Sequence, residues 1–122
     1  GGKNRASLNK STSLETRARL ILDSVVKQNQ TNVASAWSSY QSNQSLLNSV
    51  LAQVRASEIA NEGITAEYNS GTGRTTLEVI QSNSLLLNAQ ISLADSERNF
   101  TLSKFNLLKS IGLLHSEYLK IK

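Results

Sequence analysis

Tyr68-Asn69-Ser70-Gly71-Thr72-Gly73-Arg74-Thr75-Thr76-Leu77-Glu78-Val79-Ile80-Gln81 is the one clear break in an otherwise helical pattern, and its reading decides the fold. Gly71 and Gly73 accept the positive φ with which helices end, while Asn69 and Ser70 compete for backbone hydrogen bonds in turns. Thr75 and Glu78 have the spacing of a capping box, in which the hydroxyl takes an orphan amide of a new helix and the carboxylate reaches back. A loop this short between helices folds the two arms antiparallel. The expected fold is all-α: a long antiparallel two-helix coiled-coil hairpin, with helix one over about residues 12–69, a tip at 70–75 and helix two over about 76–111.

On the N-terminal side of the tip, Val26, Val33, Tyr40, Leu47, Val54, Asn61 and Tyr68 recur every seven residues, the mark of a helix packed along a seam. With no proline to break it, helix one can reach on the order of 85 Å at 1.5 Å per residue. Thr12 with Glu15 repeats the capping-box spacing and is expected to start it. Residues 1–11, polar and basic behind two glycines, are expected to be a disordered or cloning-derived start. Gly63 inside this helix reads either as a point of close backbone approach by a neighbour or as chance tolerance.

On the C-terminal side the seam is stricter: Val79, Leu86, Leu93, Phe100, Leu107 and Leu114 recur every seven residues beside Ser82, Ala89, Ser96, Ser103 and Ser110. A large row next to an all-small row lets another helix approach closely, so this is the stronger packing surface. Gly112 reads as the end of helix two, with the hairpin extending to about residue 115 and residues 116–122 as a tail that turns back on the base.

Two helices side by side enclose no three-dimensional core, so the chain of 122 residues reads as a fragment. Its composition, 39% hydrophobic but only 5% aromatic, supplies stripes for other helices to cover rather than a thick interior. The remaining faces of helix one are rich in Ser, Asn and Gln, as in residues 28–32 and 38–45. A helix wetted on two sides suits the wall of a water-filled tube, and a solvated coiled-coil spacer would look similar. No run approaches the roughly 18 apolar residues of a spanning helix. The absence of cysteine excludes disulfides and thiol chemistry and is compatible with either a cytosolic or a periplasmic setting.

The net charge of +4 is unevenly spread. Residues 28–97 hold two basic and six acidic residues, net −4, whereas the flanking segments hold eleven and three, net +8. A hairpin brings both flanks to one end, giving an acidic tip half and a basic base. With no adjacent Lys or Arg run and few aromatics, a nucleic-acid partner is not indicated.

No nucleophile-base pairing, metal spacing or cofactor motif is present, and no enzyme activity is expected. His115 has no Cys or second His to share a metal and is assigned to the surface. Gly71 to Thr75 superficially suggest a phosphate cradle but lack the preceding strand and the lysine. Arg74 sits at the positive end of helix two, where a cation is unfavourable unless compensated, so an anionic partner on another helix or subunit is expected. Glu78 is explained equally by capping or by facing a lumen.

Glu67-Tyr68, Ser70-Gly71-Thr72 and Arg74-Thr75-Thr76-Leu77-Glu78-Val79-Ile80-Gln81 resemble the periplasmic tip of TolC-type outer-membrane efflux channels, whose usual form is Y-x-x-G-T-R-T-x-x-D-V-L-D. The likeness continues through Val33-Ala34-Ser35-Ala36-Trp37 and Ala56-Ser57-Glu58-Ile59-Ala60-Asn61-Glu62-Gly63 in the outgoing helix. It resumes at Asn88-Ala89-Gln90-Ile91-Ser92-Leu93-Ala94-Asp95-Ser96-Glu97-Arg98-Asn99-Phe100 and Leu107-Leu108-Lys109-Ser110-Ile111-Gly112 in the returning one. Gly73 is an extra residue before the arginine, and Gln81 stands where the family often has a second acid.

The resemblance implies that the hairpin is part of an α-helical barrel, with a β-barrel portion absent from this chain. Each protomer would supply two hairpins, and three protomers would close a twelve-helix tube for efflux or type I secretion, multidrug efflux included, at the cell outer membrane and across the periplasm. A periplasmic adaptor and an inner-membrane pump are the implied partners. Gly71, Thr72, Gly73, Arg74, Thr75, Leu77, Glu78 and Gln81 become the implied gating and adaptor-contact residues, with Arg74 in the closing contacts, Glu78 lining the constriction and Gly71 in the turn the adaptor meets. The competing reading is a structural coiled-coil hairpin of a periplasmic adaptor or spacer protein, for which the same heptads suffice.

Overall fold

A computed structural model describes residues 2–121, with side chains over residues 7–120. It contains two helices, α1 (Gly2–Asn69) and α2 (Thr76–Ile121), packed against one another as a hairpin, with no strand among the described residues. The hairpin divides into two compact units, Ser38–Phe105 and residues 1–37 with 106–122.

In the unit that contains the turn, both rows expected on α2 face inward. Val79, Leu86, Leu93 and Phe100 are half-buried, and Ser82, Ala89, Ser96 and Ser103 are buried. Ala89, at 3% exposure, is the tightest point and clusters with Val50 and Val54, against which Leu93 packs. The small row lets the valines of α1 approach the backbone of α2, and the large row then fills the space alongside. Farther from the turn the Tyr40 and Phe100 rings meet at a centroid distance of 5.2 Å, tilted by 31°. The small row can be serine because a helical hydroxyl satisfies itself: Ser103 Oγ donates to the Phe100 carbonyl at 2.7 Å. No buried side-chain polar atom among the described residues lacks a partner.

The α1 seam row is likewise inward at Tyr40, Leu47, Val54 and Asn61, but Tyr68 at its end is exposed. A second α1 row, Asn43, Val50, Ser57 and Ile64, shares the interface. In the other unit Val26 and Leu107 are buried, Leu114 and Glu117 are half-buried, and Gln30 Nε2 donates to the Tyr118 hydroxyl at 3.2 Å. That unit holds nine basic and three acidic residues, net +6, while the turn unit holds four and six, net −2.

Three expected boundaries are corrected. The helix does not begin at Thr12, whose hydroxyl instead donates to the Leu8 carbonyl at 2.9 Å from within α1, and residues 2–11 are helical. Gly112 does not end α2, and residues 116–121 are helix rather than a returning tail. For α2 the reason is the seam: Leu114 and Glu117 continue both rows past Gly112, and one glycine weakens a helix by only about 1 kcal/mol relative to alanine. Gly1 and Lys122 lie outside the described residues. His115 is exposed, and no helix among the described residues is long and apolar enough to cross a membrane.

Much apolar surface stays uncovered. Ile80, Leu87 and Ile91 recur at helical spacing on the exposed side of α2, each more than half exposed. The chain on its own is therefore expected to self-associate in sedimentation equilibrium, and a monomer across a wide concentration range would contradict this. Replacing Ala89 by leucine should overpack the seam and lower stability by about 1–3 kcal/mol in chemical denaturation, whereas Ala94→Leu on the exposed side should change it by less than about 0.5 kcal/mol.

Candidate functional site

The turn is built from two interlocking helix caps. α1 ends when Gly71 takes φ 73° and the Thr72 amide reaches back to the Glu67 carbonyl at 3.1 Å, with the Gly71 amide on the Tyr68 carbonyl at 3.2 Å. This pair of bonds is the Schellman arrangement, and it needs a left-handed residue at Gly71. The Thr72 hydroxyl adds a second bond to the same Glu67 carbonyl at 2.9 Å, and Ser70 Oγ donates to the Ala66 carbonyl at 2.8 Å. Carbonyls orphaned at the end of α1 are thereby satisfied.

Gly73, at φ 96°, redirects the chain into α2. The expected capping box forms there: the Glu78 amide donates to Thr75 Oγ1 at 3.2 Å, and the Thr75 amide donates to Glu78 Oε2 at 3.1 Å. The Val79 amide to the Thr75 carbonyl, at 3.2 Å, is the first helical bond. Tyr68 and Thr76 close the turn from the side through their hydroxyls, 3.2 Å apart.

Arg74 finds its anion on the opposite helix of its own hairpin, where Nε donates to Glu67 Oε2. The Glu78 carboxylate lies 3.8 Å from its Nη1. The hydrogen bond that Arg74 donates to Glu67 and then the charge of Glu67, with a lesser contribution from Glu78, hold the guanidinium above its usual pKa. A raised base contributes stability below its unfolded pKa that is lost only as pH rises through the folded value, so Arg74 stays charged across the whole physiological range. Of the two expected sources of an anion, another helix and another subunit, the chain itself supplies the first.

The structure sorts the eight residues singled out by sequence into three groups. Gly71, Thr72, Gly73 and Thr75 make the turn itself. Arg74, Glu78 and Gln81 come together along an open groove of about 220 Å³, floored by Ala60 and Ile64 of α1 and Leu85 of α2. Leu77 is exposed and contributes to neither. Glu67 was not among the eight, although it lies within the motif; its role follows from the α1 cap, which brings a residue seven positions earlier against Arg74. Asn61 was also missed as a polar contact: its Nδ2 donates to Ser82 Oγ at 3.1 Å and to Asn83 Oδ1 at 2.6 Å. No group of three or more His, Asp or Glu among the described residues is placed to hold a metal.

No family model matches the chain, and no solved structure matches it. Over all of its 122 residues it is 25% identical to the outer membrane efflux protein BepC of Brucella suis biovar 1 (strain 1330). The chain spans about a quarter, 26%, of the length of that curated relative. From end to end, then, this helical hairpin is similar to one stretch of an outer membrane efflux protein.

Proposed function

We propose that the chain is a periplasmic tunnel segment of a trimeric outer-membrane efflux or type I secretion channel, whose tip meets a periplasmic adaptor and gates the pore. The observation that carries this reading is the likeness along the whole chain to part of an outer membrane efflux protein. The fold supports it physically. A hairpin with uncovered apolar residues on both helices, such as Leu51 and Ile59 on α1 and Leu87 and Ile91 on α2, set among Ser-, Asn- and Gln-rich stretches, is suited to a wall element covered laterally by neighbouring hairpins. Substrates pass along such a wall unchanged, and the reading has no catalytic step.

In this reading the Glu67–Arg74 pair fixes the shape of the tip, and the shape of the tip sets the closed contacts. The turn at Gly71 is the surface an adaptor tip would meet, and Glu78 and Gln81 face the constriction. An inner-membrane pump engaging through that adaptor would draw the tips apart.

Two experiments on the full-length parent protein test this. Arg74→Ser is expected to raise single-channel conductance in planar bilayers while the trimer still forms, and Glu67→Gln should do the same because it removes the other half of the pair. Unchanged conductance in both, with normal assembly, would dismiss the latch. Glu78→Gln should weaken cation preference without disturbing the start of α2, since glutamine keeps the capping-box acceptor. With Gln81 in place of a second acid, block by multivalent cations should be weak even in the unsubstituted channel; strong block would contradict a constriction lined this way.

A further inference from the structure

Gly63 sits inside α1, two turns before that helix ends. A Cβ built there meets nothing within 4 Å, and its φ is not positive, so neither packing nor backbone conformation within the chain requires glycine. Its effect is to loosen the helix locally, because glycine has the largest backbone entropy of any residue.

The seam changes character at the same level. Val50, Val54 and Ala89 are the buried apolar cluster of the turn unit, and closer to the turn no apolar side chain among the described residues is buried. Ile64, Val79 and Leu86 there are only half-buried. What spans the interface instead is the hydrogen-bonded clasp of Asn61 with Ser82 and Asn83. On α2 that clasp falls in Ser82-Asn83-Ser84, three residues that favour a helix interior poorly because their side chains compete for backbone bonds.

Beyond the clasp the end of the hairpin is tied together again by the two caps, the Tyr68–Thr76 contact and the Glu67–Arg74 pair. Two weak stretches, one in each helix, therefore lie side by side between a packed seam and a cross-linked tip. We propose that residues 64–81 form a tip body that swings as one piece about a flexure at Gly63 and Ser82-Asn83-Ser84, with the Asn61 clasp as its boundary. Hydrogen bonds suit a boundary that must open and reclose, since water replaces them at little net cost, whereas an apolar seam has to be rehydrated. This is a property of the hairpin itself and stands whether or not the chain belongs to a channel.

Amide hydrogen exchange on this chain, resolved by residue, tests it. In the unsubstituted protein the amides whose helical bonds cross the flexure, residues 64–67 and 83–88, should exchange at a common rate, at least about ten-fold faster than those of residues 43–54 and 93–100. Gly63→Ala should slow that whole set about five-fold, including the amides on α2, because the swing involves both helices. Asn61→Leu, which replaces the clasp with an apolar contact, should slow it as well. The proposal is overturned if the amides that cross the flexure exchange as slowly as the seam. It is also overturned if Gly63→Ala slows only amides within a turn of residue 63, which is what a purely local gain in helix propensity would do.

Discussion

The seam between α1 and α2 is the constraint on which the rest of the structure depends. In a two-helix arrangement each helix can be covered on one side only, and no side chain among the described residues is fully buried. Close approach therefore matters more than area. A row of Ser and Ala on α2 brings the α1 backbone near, and Val50, Val54 and Ala89 fall inside at 7, 6 and 3% exposure. The apolar residues that the seam cannot reach, Ile80, Leu87 and Ile91 among them, are left to whatever lies beside the hairpin. A chain built in this way leaves apolar surface that its own two helices cannot cover, unlike a globular domain with a closed core.

A repeating seam leaves one ambiguity, because sliding one helix past the other by seven residues still matches large rows to small ones. The turn and the clasp remove it. Both caps bond the short connection between Asn69 and Thr76 back to the helices on either side, so the loop has no slack to admit a slip. A seven-residue slide would also set Asn61 against Ala89 in place of Ser82, leaving its amide without the two oxygens it now reaches. The polar contact at the boundary of the tip thus acts with the turn to fix the register of the hairpin.

These features were unequally legible in the sequence. Both α2 rows and both caps could be read, because seven-residue periodicity and cap chemistry are local and each residue type has one mechanical reason to be there. The ends of the helices could not. Gly112 is a local stop signal that loses to a seam continuing through Leu114 and Glu117, whereas α1 runs back through Thr12 and Glu15 although the side chains of residues 7–21 are all exposed. The second α1 row escaped notice because it mixes Asn43, Val50, Ser57 and Ile64, so hydrophobicity alone shows no period there. Glu67 was overlooked because its contact with Arg74 depends on the left-handed residue at Gly71. An anion was correctly demanded by the position of Arg74, but which anion could be read only from the backbone.

The Glu67–Arg74 pair has a further peculiarity. An acid in the last turn of α1 faces that helix's negative pole, and a cation just ahead of α2 faces that helix's positive pole, so each is misplaced with respect to its own helix. Only across the turn do they compensate one another. Glu78, by contrast, lies where both the dipole and the capping box favour an acid. Both members of the pair are substantially exposed, and ion pairs in such settings add little to folding. Local stability therefore accounts for Glu78 and does not account for Glu67 and Arg74. Two charges placed against the preference of their own helices, at the one point where the chain reverses, satisfy each other rather than the helices that carry them. That is where a departure from local consistency is expected to mark function.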